Sequence, residues 1–132
     1  MAYAESTSVS PDRTQAQISE TLRKYGASGF MYGWENDAAV VAFKAHDRHI
    51  RFNLPLPNPH DREFHVSPAG RSRTADAAKG AYEQALRTRW RALLLAIKAK
   101  LEAVETGITT FEAEFAMHIV LPDNTIVADH VL

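Results

Sequence analysis

The sequence predicts an α+β domain, on three observations: a short helical pattern near the start, two-residue alternation over residues 29–54, and a long helical pattern over 75–107. The expected order is an N-terminal helix, a three-stranded antiparallel meander, a long amphipathic helix across it, and a short C-terminal helix. Residues 1–10 are small and polar with no periodicity, so they are expected to form a disordered or loosely attached tail, with residues 11–132 as a single domain.

Ser10 ahead of Pro11 and Asp12 is a helix start, a side-chain cap followed by a proline at the first helical position. The helix is expected to run to Tyr25, with Ile18, Leu22 and Tyr25 as a narrow apolar stripe and Gly26 as its stop. A stripe this narrow suits a helix lying on the surface of a sheet.

Three alternating segments follow, at residues 29–34, 38–45 and 48–54. The turns between them, Glu35-Asn36-Asp37 and His46-Asp47, are short enough to force hairpins. In the third segment Ile50, Phe52 and Leu54 share one face, and His49, Arg51 and Asn53 share the other. In the first, Phe30, Tyr32 and Trp34 lie opposite Met31; alternation alone leaves open which way that ladder points, although large aromatics chiefly supply core area.

Residues 55–74 read as a loop, with Pro55, Pro57, Pro59, Pro68 and Gly70 and a basic end at Arg71 and Arg73. Loops of that length in a compact domain tend to be functional or disordered, which makes this the first place to look for binding.

In the long helix Tyr82, Leu86, Trp90, Leu93, Ile97, Leu101 and Val104 fall within about 100° of one another at 3.6 residues per turn. Asp76 suits the positive end of the helix dipole, and Gly107 suits the left-handed position that ends a helix. At 1.5 Å per residue the helix spans roughly 45 Å, so part of it is expected to project or to pack on another subunit. Arg87, Arg91 and Lys98 form a stripe beside the apolar face. One reading is a solvated face partly neutralised by Glu102 and Glu105; the other is an anion-binding edge, continued by Arg71, Arg73 and Arg51. Beyond Gly107, Thr109 and Glu112 fit a capping box for a short helix with Phe111, Phe115 and His118 or Ile119 facing inward. Pro122, Asp123 and Asn124 mark a turn, and the last residues suit either a strand or a helix.

Composition bounds the function. With 132 residues, 45% of them hydrophobic, the chain suits one domain with a real core. Fifteen Lys and Arg against sixteen Asp and Glu give a net charge of −1, so attraction to phosphates would have to come from a local patch. The absence of cysteine excludes disulfides and thiolate chemistry and fits a cytoplasmic protein. No apolar run approaches the roughly 20 residues that span a bilayer, and no membrane role is expected. Six histidines invite a metal reading, with His60, Asp61, Glu63 and His65 as a loop cluster, but no metal, nucleotide or hydrolase signature accompanies them. Neither a cofactor nor a catalytic residue is implied.

The stretches GWENDAAVVAF (33–43), RHIRFNLPLP (48–57), RWRALLLAIKAKLEAVETGITTFEAEF (89–115) and HIVLPD (118–123) resemble a family of small phage-encoded proteins. The resemblance covers about residues 21–123, implies a phage or prophage origin, and carries no catalytic assignment. The expected function is a non-enzymatic accessory that binds single-stranded nucleic acid or an anionic nucleotide, for strand binding or annealing, through Arg51, Arg71, Arg73, Arg87, Arg91 and Lys98. The alternative is a counter-defence protein that binds a host protein or sequesters a nucleotide signal; a hydrolase built on the His60 to His65 loop ranks last. A homo-oligomer is expected, because one short sheet can hardly cover the apolar face of so long a helix.

Overall fold

The computed structural model describes residues 4–132. Helix α1 (Pro11–Lys24) leads into the strands β1 (Gly29–Glu35), β2 (Ala38–Ala45) and β3 (Arg48–Pro55). A four-residue helix α2 (Arg62–His65), the long α3 (Ala75–Glu105), α4 (Phe111–Phe115) with a 3₁₀ turn after it, and α5 (Ala128–Val131) complete the chain. This is the α+β order the sequence predicts. Among the described residues, no helix is long and apolar enough to cross a membrane.

The helix ends follow local chemistry. Ser10 Oγ accepts the Arg13 amide at 3.2 Å, and Thr74 Oγ1 accepts that of Ala77 at 3.1 Å. Gly107, at φ +81°, takes the left-handed position just past α3. The cap of α4 is Thr110, one residue later than expected: its hydroxyl accepts the Ala113 amide at 3.1 Å.

The sheet is antiparallel in the order β1-β2-β3. One-to-one register places Phe30 opposite Phe43, Tyr32 opposite Val41 and Trp34 opposite Ala39, and β2 in turn sets Val41 against Phe52 and Phe43 against Ile50. Directly paired residues share a face, so the aromatic ladder of β1 points to the same side as the core. That inner face is buried through Ala39, Val41, Phe43, Ile50, Phe52 and Leu54, and packs with Ile18, Leu22, Trp90, Ile97 and Phe115 of the helices. The outer face carries Met31, Gly33, Val40, Ala42, Lys44, His49, Arg51 and Asn53, all exposed or half-exposed.

The β2–β3 turn has two residues in the left-handed region, His46 at φ 51° and Asp47 at φ 59°, as a tight hairpin requires. Neither is glycine. The His46 ring stacks on Phe111 with centroids 4.4 Å apart, which anchors this strained turn to α4.

Helix α1 lies alongside α3 as well as over the sheet. Gln17 meets Arg91 and Tyr25 meets Glu102, so the two helices run in the same direction. The expected loose tail falls partly on residues 1–3, outside the described residues. From Ala4 onward the segment rests on α3: Gln84 Nε2 donates to the Thr7 carbonyl at 2.8 Å, Thr88 Oγ1 donates to that of Glu5 at 3.2 Å, and Ala4 is buried.

The 55–74 segment is built rather than open. Phe64 is buried with its ring edge-on to Tyr82 at 5.6 Å, and Val66 bridges to Ser72 in a small hairpin. At the other end of the fold, Ile119 bridges to Ile50 and the Val120 amide donates to the His49 carbonyl at 2.9 Å, which closes part of the outer edge of β3.

Candidate binding surface

The six cations singled out in the sequence fall in separate places. Arg87 Nε donates to Gln84 Oε1 at 3.1 Å, and Arg91 Nη1 donates to Gln17 Oε1 across the α1–α3 seam. Arg73 Nη1 donates to the carbonyls of Glu63 and Phe64 at 3.2 and 3.4 Å, holding the 55–74 segment together. Arg71 is exposed in the same small hairpin, and Lys98 is exposed on α3. Arg51 stands on the outer face of the sheet, donating to Asn124 Oδ1 at 3.3 Å. The alternation that buries Ile50 and Phe52 turns Arg51 away from α3, so it does not share a surface with Arg87 and Arg91.

The carboxylates expected to neutralise the arginine stripe are engaged elsewhere or stand alone. Glu102 accepts the Tyr25 hydroxyl at 2.7 Å, and that hydrogen bond, with burial and the neighbouring carboxylates adding to it, raises the Tyr25 phenol above its ordinary value. The ion pairs among the described residues are Lys79–Glu83, Lys100–Glu114 and His130–Asp123.

A different set of cations does converge. Register places Lys44 opposite His49 and Ala42 opposite Arg51, so Lys44, His49 and Arg51 share the outer face, with Arg48 at the adjoining turn. A hollow of about 460 Å³ is lined by Gly26, Ser28, Lys44, Arg48 and His49 together with the His46-Asp47 turn. A second, of about 380 Å³, shares Lys44 and His49 and extends across Gly29, Met31 and Ala42. Lys44 and Arg48 are both exposed, and neither is in an ion pair among the described residues. The sequence signal for half of this surface is the alternation of β3; Lys44 joins it only through strand register, which pairing decides.

Strand β1 is the other uncovered feature. Met31 is 70% exposed on the outer face, while Tyr32 and Trp34 are 49% and 79% exposed on the inner face. The Tyr32 ring still reaches Trp90, edge-on at 6.2 Å, but Trp34 stands open to solvent.

The histidine cluster of the loop is held locally: His65 Nε2 lies 2.9 Å from the Pro59 carbonyl, and the His60 amide donates to Asn58 Oδ1 at 2.8 Å. Among the described residues no group of three His, Asp or Glu side chains is placed to hold a metal ion. Comparison with family models gives no match, and neither curated proteins nor solved structures give one.

Proposed function

We propose that this chain is a non-enzymatic accessory protein that binds single-stranded nucleic acid across the outer face of its sheet, in keeping with the phage-encoded class its sequence resembles. The observation that carries this reading is that register sets Lys44, His49 and Arg51 on one outer face with Met31, where Lys44 and His49 line two shallow hollows and Arg48 joins one of them from the turn. Clustered cations attract phosphates through counterion release even on a chain of net charge −1, because the local field and not the total charge decides binding. Small residues on that face, such as Gly29, Gly33 and Ala42, also let a strand lie close to the backbone.

The test is fluorescence anisotropy of a labelled single-stranded oligonucleotide across a salt series. Lys44→Ala with Arg51→Ala is expected to weaken binding and to flatten the logarithmic salt slope by roughly 0.7 for each phosphate no longer neutralised. Identical affinity and slope in the double variant would remove nucleic acid from this face. The second reading, a host-protein partner in a counter-defence role, is favoured by the apolar centre of the same face, where Met31, Gly33 and Val40 line a further hollow. Under that reading the oligonucleotide shows no salt-dependent binding at all.

A further inference from the structure

We propose that the open edge of β1 pairs antiparallel with the same strand of a second copy, joining two three-stranded sheets into one of six strands. The inference concerns assembly and stands whether or not the sheet binds nucleic acid.

An edge strand of seven residues exposes a row of unpaired backbone groups, and proteins that stay monomeric blunt such edges with lysine, proline, bulges or a covering segment. Strand β1 has none of these among the described residues: its sequence GFMYGWE holds no basic residue and no proline, and its register with β2 runs one-to-one from Gly29 to Glu35 without a bulge. The opposite edge is treated differently, since the segment containing Ile119 and Val120 bonds to β3.

The strand is complementary to itself. A twofold axis at Tyr32 sets Phe30 against Trp34 of the second copy and Tyr32 against its counterpart, giving a row of aromatic cross-strand pairs on the inner face. On the outer face the same axis sets Met31 against Gly33, where an added Cβ would meet nothing within 4 Å, so the methionine has room. The two large apolar side chains that monomer packing leaves most open on this strand, Met31 and Trp34, are among those this pairing covers.

Charge fixes the register. Glu35 is the strand's only carboxylate, and the twofold sets it beside Gly29 of the second copy. Lys44 pairs with Gly29 across β1–β2, and its side chain leans over that glycine, with Cδ 3.8 Å from where a Cβ would stand. Because Gly29 has no side chain, Lys44 reaches toward the open edge, where Glu35 of the second copy would arrive. Symmetry makes this ion pair twice.

Light scattering and sedimentation of the full chain over a micromolar concentration series test the pairing. The wild type is expected to reach the dimer mass reversibly, and Trp34→Lys, at a position that supports no core, is expected to lose it with its circular dichroism unchanged. Glu35→Lys and Lys44→Glu should each weaken the dimer about tenfold, as two symmetry-related pairs turned repulsive predict. The combined variant should restore it. A wild type that stays monomeric, single variants that dimerise like the wild type, or a folded combined variant that remains monomeric would each overturn the pairing. Oligonucleotide binding by a chain that stays monomeric would separate failure of this assembly from failure of the proposed function.

Discussion

Two single residues show where burial and polarity conflict. Thr14 is fully buried, and its hydroxyl has no hydrogen-bond partner among the described residues. Leaving such a group unsatisfied costs about 1–3 kcal/mol, whereas valine has the same shape without the polar atom. Thr14→Val is therefore expected to stabilise the fold by about 1 kcal/mol, read as a higher urea midpoint at unchanged slope. A lower midpoint would show that the hydroxyl has a partner in solution. His118 is the second case. Its ring stacks on Phe52 with centroids 4.0 Å apart, its Nδ1 is buried without a partner among the described residues, and burial first and Lys100 second hold its imidazole below the ordinary value of 6.5. With the folded value depressed, the unfolded chain takes up the proton first, so stability is full above 6.5 and is lost as pH falls from there through the folded value. Melting curves across that window should show the decline, and His118→Gln should remove its share of it.

At the scale of elements, the long helix is the most legible part of the sequence. Of the seven positions assigned to its apolar face, Trp90, Leu93, Ile97 and Leu101 are buried and Tyr82, Leu86 and Val104 are half-buried. Leu94 is buried too, because α1 runs beside α3 and widens the covered arc, something a single helix pattern cannot foresee. Ile97 is 0% exposed at the centre of this packing, so Ile97→Ala is expected to cost about 2–5 kcal/mol in chemical denaturation. A cost under that range would mean the site collapses around the gap. The arginine stripe lies on α3 as its spacing predicts, but its partners are hidden from the sequence: Gln17, which receives Arg91, lies 74 residues away, and a neutral glutamine gives no charge signal. In the same way, strand alternation shows which residues of β1 share a face, while only the pairing register shows that this face points inward.

For the whole molecule, the exposed cations and the exposed aromatic edge come from one architectural fact: the helices gather on the inner face and leave the outer face and the free edge of β1 to solvent. That arrangement also rests on interactions between distant parts of the chain. Glu5 and Thr7 meet Thr88 and Gln84, Gln17 meets Arg91, and Tyr25 meets Glu102. During synthesis, α1 and the sheet leave the ribosome well before the helix that covers them. Their apolar surfaces then wait for a partner that is still being translated, since synthesis at about 5–20 residues per second is slow compared with the microsecond pairing of a hairpin. The nascent chain is thus expected to pass through a stage in which the inner face of the sheet is a client for chaperones, ending only when α3 has emerged.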